Sequence, residues 1–177
     1  RLEGESSRAL KTFWSLKLGQ DGIPVAGPGW KNLAPWPGVE RFQAASGVLD
    51  GKFYLIGGGR LGEGKKGARV FPPMKDAYRY SPAEKSWERI ADLPGGLFAA
   101  PSPALRLGEA HLMLAGGGNE SALQWAAANP DKTIEFHPGF YRDCIVYHNV
   151  VDRWVTLEGA GASFPDDEMN TSRVTVN

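Results

Sequence analysis

Asp50-Gly51-Lys52-Phe53-Tyr54-Leu55-Ile56-Gly57-Gly58-Gly59, followed downstream by Tyr80 and Trp87, is the stretch that decides the fold. It recurs as His111-Leu112-Met113-Leu114-Ala115-Gly116-Gly117-Gly118, followed by Tyr147 and Trp154. The glycine triplets lie 59 residues apart, and in both copies six residues separate the tyrosine from the tryptophan. Trp30 extends the series, since Trp30, Trp87 and Trp154 recur at intervals of 57 and 67. Self-similarity at this period marks a repeat architecture, in which each unit buries its apolar face against a neighbour.

The order of apolar strand, glycines, loop, tyrosine and tryptophan is that of a kelch repeat, about 50 residues per four-stranded propeller blade. The chain is therefore expected to be all-β, a kelch-type β-propeller. Asp50-Gly51 predicts a hairpin joining a strand over Phe42–Leu49 to one over Gly51–Ile56. The small residues Ala44, Ala45, Ser46 and Gly47 suit a crowded innermost strand. Asp76–Tyr80 reads as the third strand, Ser81–Lys85 as a turn and Ser86–Ile90 as the fourth. The next blade repeats this with Phe98–Leu107, His111–Ala115, Asp143–Tyr147 and Trp154–Leu157.

Leu10–Leu18 and Trp30–Leu33 read as the third and fourth strands of an earlier blade, and Ser172–Val176 as the innermost strand of a later one. The predicted division is the end of one blade over 1–34, a full blade over 41–91, a full blade over 97–158 with a helical insertion over 119–142, and the start of another over 172–177. That is an incomplete propeller, about two full blades plus parts of two others. A ring closes with four to eight blades. The expectation is a piece truncated at both ends, needing the remaining blades of a ring of roughly 350 residues.

Composition narrows the partners. Twenty basic residues balance twenty acidic ones, so neither nucleic acid nor an anionic membrane is an expected partner. No apolar run is long enough to span a bilayer. The single cysteine, Cys144, excludes an internal disulfide framework. The opening Arg1-Leu2-Glu3-Gly4 leaves localisation unreadable from the sequence.

Chemistry is expected in the connections, where propellers place variable loops. The glycine triplets precede no helix and lack a Walker lysine, so they read as sharp turns beside a neighbouring strand rather than as a phosphate cradle. Leu61–Pro73 is basic and glycine-rich, with Lys65, Lys66 and Arg69, and reads as a solvated loop. Asn119 opens a longer excursion in which Ser121–Ala128 can form a short helix ended by Asn129-Pro130. His137, Tyr141 and Arg142 follow, suited either to the wall of a sugar pocket or to a lid on the blade edge. Three scattered histidines give no metal site, and none is expected. Arg41 and Arg173 occupy the same point of their repeats, with Asn170 and Thr171 beside the latter. Two roles are open to them: clamping a substrate carboxylate bidentately, or tying strand ends together. Asn119, His137, Asn170, Arg41 and Arg173 are the candidate binding residues.

Trp30-Lys31-Asn32-Leu33, Asp50–Tyr54 with its glycines, Pro94-Gly95-Gly96-Leu97-Phe98-Ala99, the long insertion after Gly118 and His137-Pro138-Gly139 together resemble the bacterial N-acetylneuraminate epimerase family, also described as cyclically permuted mutarotases. The resemblance implies a six-bladed kelch-like propeller interconverting anomers of a small acidic sugar, with no cofactor. It implies export, hence periplasmic or secreted localisation. It also places the family's proposed catalytic glutamate and arginine in a Gly-Glu…Pro-Gly…Arg segment beyond Asn177, so no catalytic residue is assigned within this chain. The competing class is a non-catalytic kelch module that binds a protein or glycan through its loop face.

Overall fold

A computed structural model describes residues 9–27, 29–63, 69–129 and 144–157. Two four-stranded antiparallel sheets dominate them. The first orders β3 (Ala45–Leu49), β4 (Lys52–Ile56), β7 (Ala77–Ser81) and β8 (Ser86–Ile90) from one edge to the other. The second repeats that order with β9 (Leu105–Leu107), β10 (His111–Ala115), β11 (Cys144–His148) and β12 (Arg153–Leu157). A two-stranded sheet of β1 (Phe13–Ser15) and β2 (Lys31–Leu33) precedes them. These are kelch-type propeller blades, each an antiparallel meander, with a separate two-stranded ladder inserted between β4 and β7 of the first.

Local chemistry accounts for the turns. Asp50 and Gly51 have φ of 50° and 65°, the double left-handed pattern of a tight hairpin whose twist matches its strands. Register then lines up the repeat residues. Phe53 pairs with Tyr80 and Tyr80 with Trp87; Leu112 pairs with Tyr147 and Tyr147 with Trp154. Each row faces the preceding sheet. Phe13 of β1 lies 5.0 Å from the Tyr80 ring and 4.9 Å from that of Trp87, while Tyr54 of the first blade lies 5.8 Å from Tyr147 of the second.

The core sits between the two blades. Leu49, Tyr54, Ile56, Leu112, Leu114, Ile145 and Tyr147 are its largest fully buried side chains, each stabilising the fold by about 1.5–3 kcal/mol. The blades converge at β3 and β9, where Ala104 donates its N–H to the Ser46 carbonyl at 2.6 Å and the Ser46 and Ser102 hydroxyls meet at 2.8 Å. Small residues permit that approach, since a Cβ on Gly47 would lie 3.2 Å from Ala104 and 3.3 Å from Leu112.

The innermost strands are shorter than the sequence suggests. Gln43 and Ala99 adopt φ of 51° and 54°, which breaks each strand ahead of β3 and β9. The displaced residues Phe42 and Phe98 instead exchange hydrogen bonds with Gly59 and Gly118 at 2.7–3.0 Å. The strand expected over Leu10–Leu18 likewise forms a ladder at Phe13–Ser15, with isolated bridges from Leu10 to Arg41 and from Leu18 to Pro24. Leu61–Pro73, expected as a solvated loop, contains the short ladder of β5 (Gly62–Glu63) and β6 (Arg69–Val70). A helix, α1 (Glu120–Ala128), follows the second triplet where one was expected. The strand expected over Ser172–Val176 lies outside the described residues.

Two outcomes test this packing. Trp154→Ala should cost about 3 kcal/mol in denaturant unfolding, the low end for a core aromatic because this ring is only partly buried. Trp154→Phe should cost about 1 kcal/mol, the worth of the lost N–H bond. Gly58 has φ 104°, and its Cβ would meet the Phe42 carbonyl at 3.0 Å and Ala44 at 3.1 Å. Gly58→Ala should therefore cost about 2 kcal/mol or more. A loss under about 0.5 kcal/mol in that variant would show that the triplet is not a fixed turn.

Candidate functional site

The connections after the second strand of each blade start at the glycine triplets, and those between blades run through Ala91–Ala104; the two sets meet on one face. Gly58 donates to the Leu97 carbonyl at 2.8 Å, Met74 to the Gly58 carbonyl at 2.8 Å, and Leu97 to Met74 at 3.1 Å. A Cβ at Gly57 would collide with the Leu97 carbonyl oxygen, and one at Gly117 would sit 2.9 Å from that of Phe98. The triplets are thus the points where one blade's connection crosses against the next segment's backbone, which only glycine allows.

Arg41 is the charged centre of this face. Its side chain is 1% exposed. Nη1 donates to the Gly57 carbonyl at 2.8 Å and to Asp76 Oδ1 at 3.2 Å, and Nη2 to Asp76 Oδ2 at 2.6 Å. The guanidinium carbon stands 5.6 Å from the Trp36 ring and 5.3 Å from that of Tyr78. Tyr78 completes the group by donating its hydroxyl to Asp76 Oδ2 at 2.7 Å. Of the two roles open to Arg41, this geometry is that of the strand tie: its bidentate fork is engaged by Asp76. Arg41 Nε is buried with no hydrogen-bond partner. At the matching point of the second blade stands Leu97, which is buried and apolar.

Asn119 immediately precedes α1 and lines a cavity of about 160 Å³ together with Gly95, Gly96, Leu97, Glu120, Ser121 and Ile145. Arg173, Asn170 and His137 lie outside the described residues. The structure also pairs two histidines that are far apart in sequence. His111 faces His148 across β10 and β11 with ring centroids 4.4 Å apart, and His148 Nδ1 accepts the Val150 N–H at 3.3 Å. Among the described residues no group of three or more metal-binding side chains occurs. Sequence reasoning missed Asp76 and Tyr78; the only signal was their two-residue spacing at the head of a strand, which puts both on one face.

Burial raises the Asp76 carboxyl, but hydrogen bonds from Arg41 and Tyr78 and the Arg41 charge outweigh it, so the group lies below the ordinary carboxylate value. Tyr78 is pushed up to about 12 by burial and by its bond to Asp76. A carboxyl depressed in the folded state contributes stability that is complete above its unfolded value of about 3.9 and is lost as pH falls through the folded value. Asp76→Asn should lower stability at neutral pH by about 3–5 kcal/mol, because Arg41 is left buried without its counter-ion. It should also flatten the acid limb of stability below about pH 4; parallel acid limbs in the two proteins would refute this account.

No family model matches the chain. Individual relatives do. It is 33% identical over 147 residues to the N-acetylneuraminate epimerase of Yersinia enterocolitica, covering 73% of this chain and 36% of that protein. Against the Yersinia pestis (strain Pestoides F) protein of the same name it is 34% identical over 144 residues, 72% of this chain and 36% of that one. With N-acetylneuraminate epimerase 1 of Escherichia coli it shares 35% identity over 92 residues, 52% and 23% of the two chains. The chain thus spans about a third or less of the length of these relatives. The solved chain described as "Structure of YjhT" superposes with a TM-score of 0.57 at 21% identity, covering 84% of this chain and 48% of that one, which is a likeness of fold. With its repeated four-stranded blades and this sequence similarity, the chain belongs to the N-acetylneuraminate epimerase family of kelch-type β-propellers.

Proposed function

We propose that this chain forms part of a sialic acid mutarotase, which interconverts the anomers of a free acidic sugar such as N-acetylneuraminate. The observation that carries this reading is the 33–34% identity, over nearly three quarters of the chain, to proteins named N-acetylneuraminate epimerase. The reaction is redox-neutral. One group protonates the ring oxygen while another takes the proton of the anomeric hydroxyl; the bond from the ring oxygen to the anomeric carbon breaks, and the open ketone recloses from its other face.

The face described above supplies a rigid platform for such a site. Buried Arg41 and half-buried Asp76 fix the first triplet, and the second triplet leads directly to Asn119 and α1. The acid–base pair is assigned to no residue of this chain. Arg173, with Asn170 beside it, is proposed to hold the sugar carboxylate, because a planar guanidinium binds a carboxylate through two parallel bonds.

In the active protein Arg173→Lys should lower catalytic efficiency on N-acetylneuraminate about ten- to a hundredfold, the worth of a charge-assisted bond. Anomer exchange followed by NMR, beside a neutral sugar as control, reads this directly. Full activity of the variant with unchanged stability would remove Arg173 from the site. Sugar binding without any anomer exchange in the unaltered protein would instead favour a non-catalytic glycan-binding propeller.

A further inference from the structure

A cavity of about 300 Å³ lies beside the outer two strands of the first blade, away from the inner edge formed by β3. Its charged lining consists of Arg60, Lys75, Asp76, Arg89 and Asp92. Both carboxylates are already committed. Asp76 is held by Arg41 and Tyr78, and Asp92 is gripped by Arg89 through contacts of 2.8, 3.0 and 3.3 Å. Arg60 and Lys75 have no ion-pair partner among the described residues. Around this cavity, four cations counting Arg41 therefore oppose two neutralised carboxylates.

The backbone holds these two cations in place. Arg60 follows directly on the first glycine triplet and donates its N–H to the Pro72 carbonyl at 3.2 Å. Lys75 is pinned between Met74, which donates to Gly58, and Leu93, which donates to the Lys75 carbonyl at 2.8 Å. Pro72 and Pro73 form a stiff apolar wall. The volume lies at the lower end of small-ligand pockets, and apolar walls with a few fixed polar groups are their usual make-up.

We infer that this cavity is an anion site for a small molecule of about monosaccharide size bearing a carboxylate or phosphate, held by Arg60 and Lys75 with Arg89 at the rim. It is independent of anomer exchange and stands or falls by binding alone. Because both cations are exposed, the attraction should weaken with added salt.

The test titrates the 15N-labelled full chain with glucuronate, glucose 6-phosphate and glucose, following the Arg60 and Arg89 side-chain N–H signals and the Lys75 amide. At least one of the two anionic sugars should shift these signals to saturation, the tighter one naming the oxyanion preferred, and glucose should not. Binding should weaken at least tenfold in the R60Q/K75Q double variant, whose altered residues are both exposed. Equal binding by the variant, an equal response to glucose, or no saturable shift with either anion would overturn the inference.

Discussion

The tryptophan N–H is the contact on which the stacking of these blades depends. Trp87 Nε1 donates to the Ala34 carbonyl at 2.8 Å, and Trp154 Nε1 to the Ala91 carbonyl at 2.8 Å. Both acceptors sit just beyond the last strand of the preceding sheet. Apolar packing between blades is non-directional and would tolerate sliding. A hydrogen bond from a partly buried ring does not, because a displaced donor would stay unpaired. The same register carries Tyr147 to Asp152, whose carboxylate also accepts the Ala91 N–H. Burial and the bond to Asp152 push the Tyr147 hydroxyl well above its ordinary value, which keeps it a neutral donor.

Given that stacking, the glycine turns shape the face on which the connections meet. Where the blades converge, the chain cannot continue as a regular inner strand. Gln43 and Ala99 turn it aside with positive φ, and Phe42 and Phe98 pair with the triplets instead. What differs between the blades is how the turn is held. Arg41 reaches the Gly57 carbonyl and Asp76 in the first, whereas Leu97 fills the matching place apolarly. A buried guanidinium is tolerable only because its charge is met by Asp76 and its faces by Trp36 and Tyr78.

For function, the consequence is a division of labour between strands and connections. The strands repeat closely, while the connection after the first triplet carries a small ladder and that after the second carries α1. Loops that vary between repeats are where a propeller usually carries its function.

The sequence by itself determined the repeat, the number of strands per blade, the Asp50-Gly51 hairpin and the tyrosine–tryptophan rows, because each rests on local patterning of period two or on turn chemistry. The helix after Asn119 was legible for the same reason. The tertiary structure alone decided the extent of the inner strands, since they break at Gln43 and Ala99 where Phe42 and Phe98 pair with Gly59 and Gly118 instead, and neither residue type signals positive φ. It alone brought Arg41 to Asp76, 35 positions away, and His111 to His148. Which cation is spent inside the fold and which, like Arg60 and Lys75, is left facing solvent depends on partners supplied by other strands. Spacing along one chain does not encode that, because a charge is satisfied by whatever lies beside it in space.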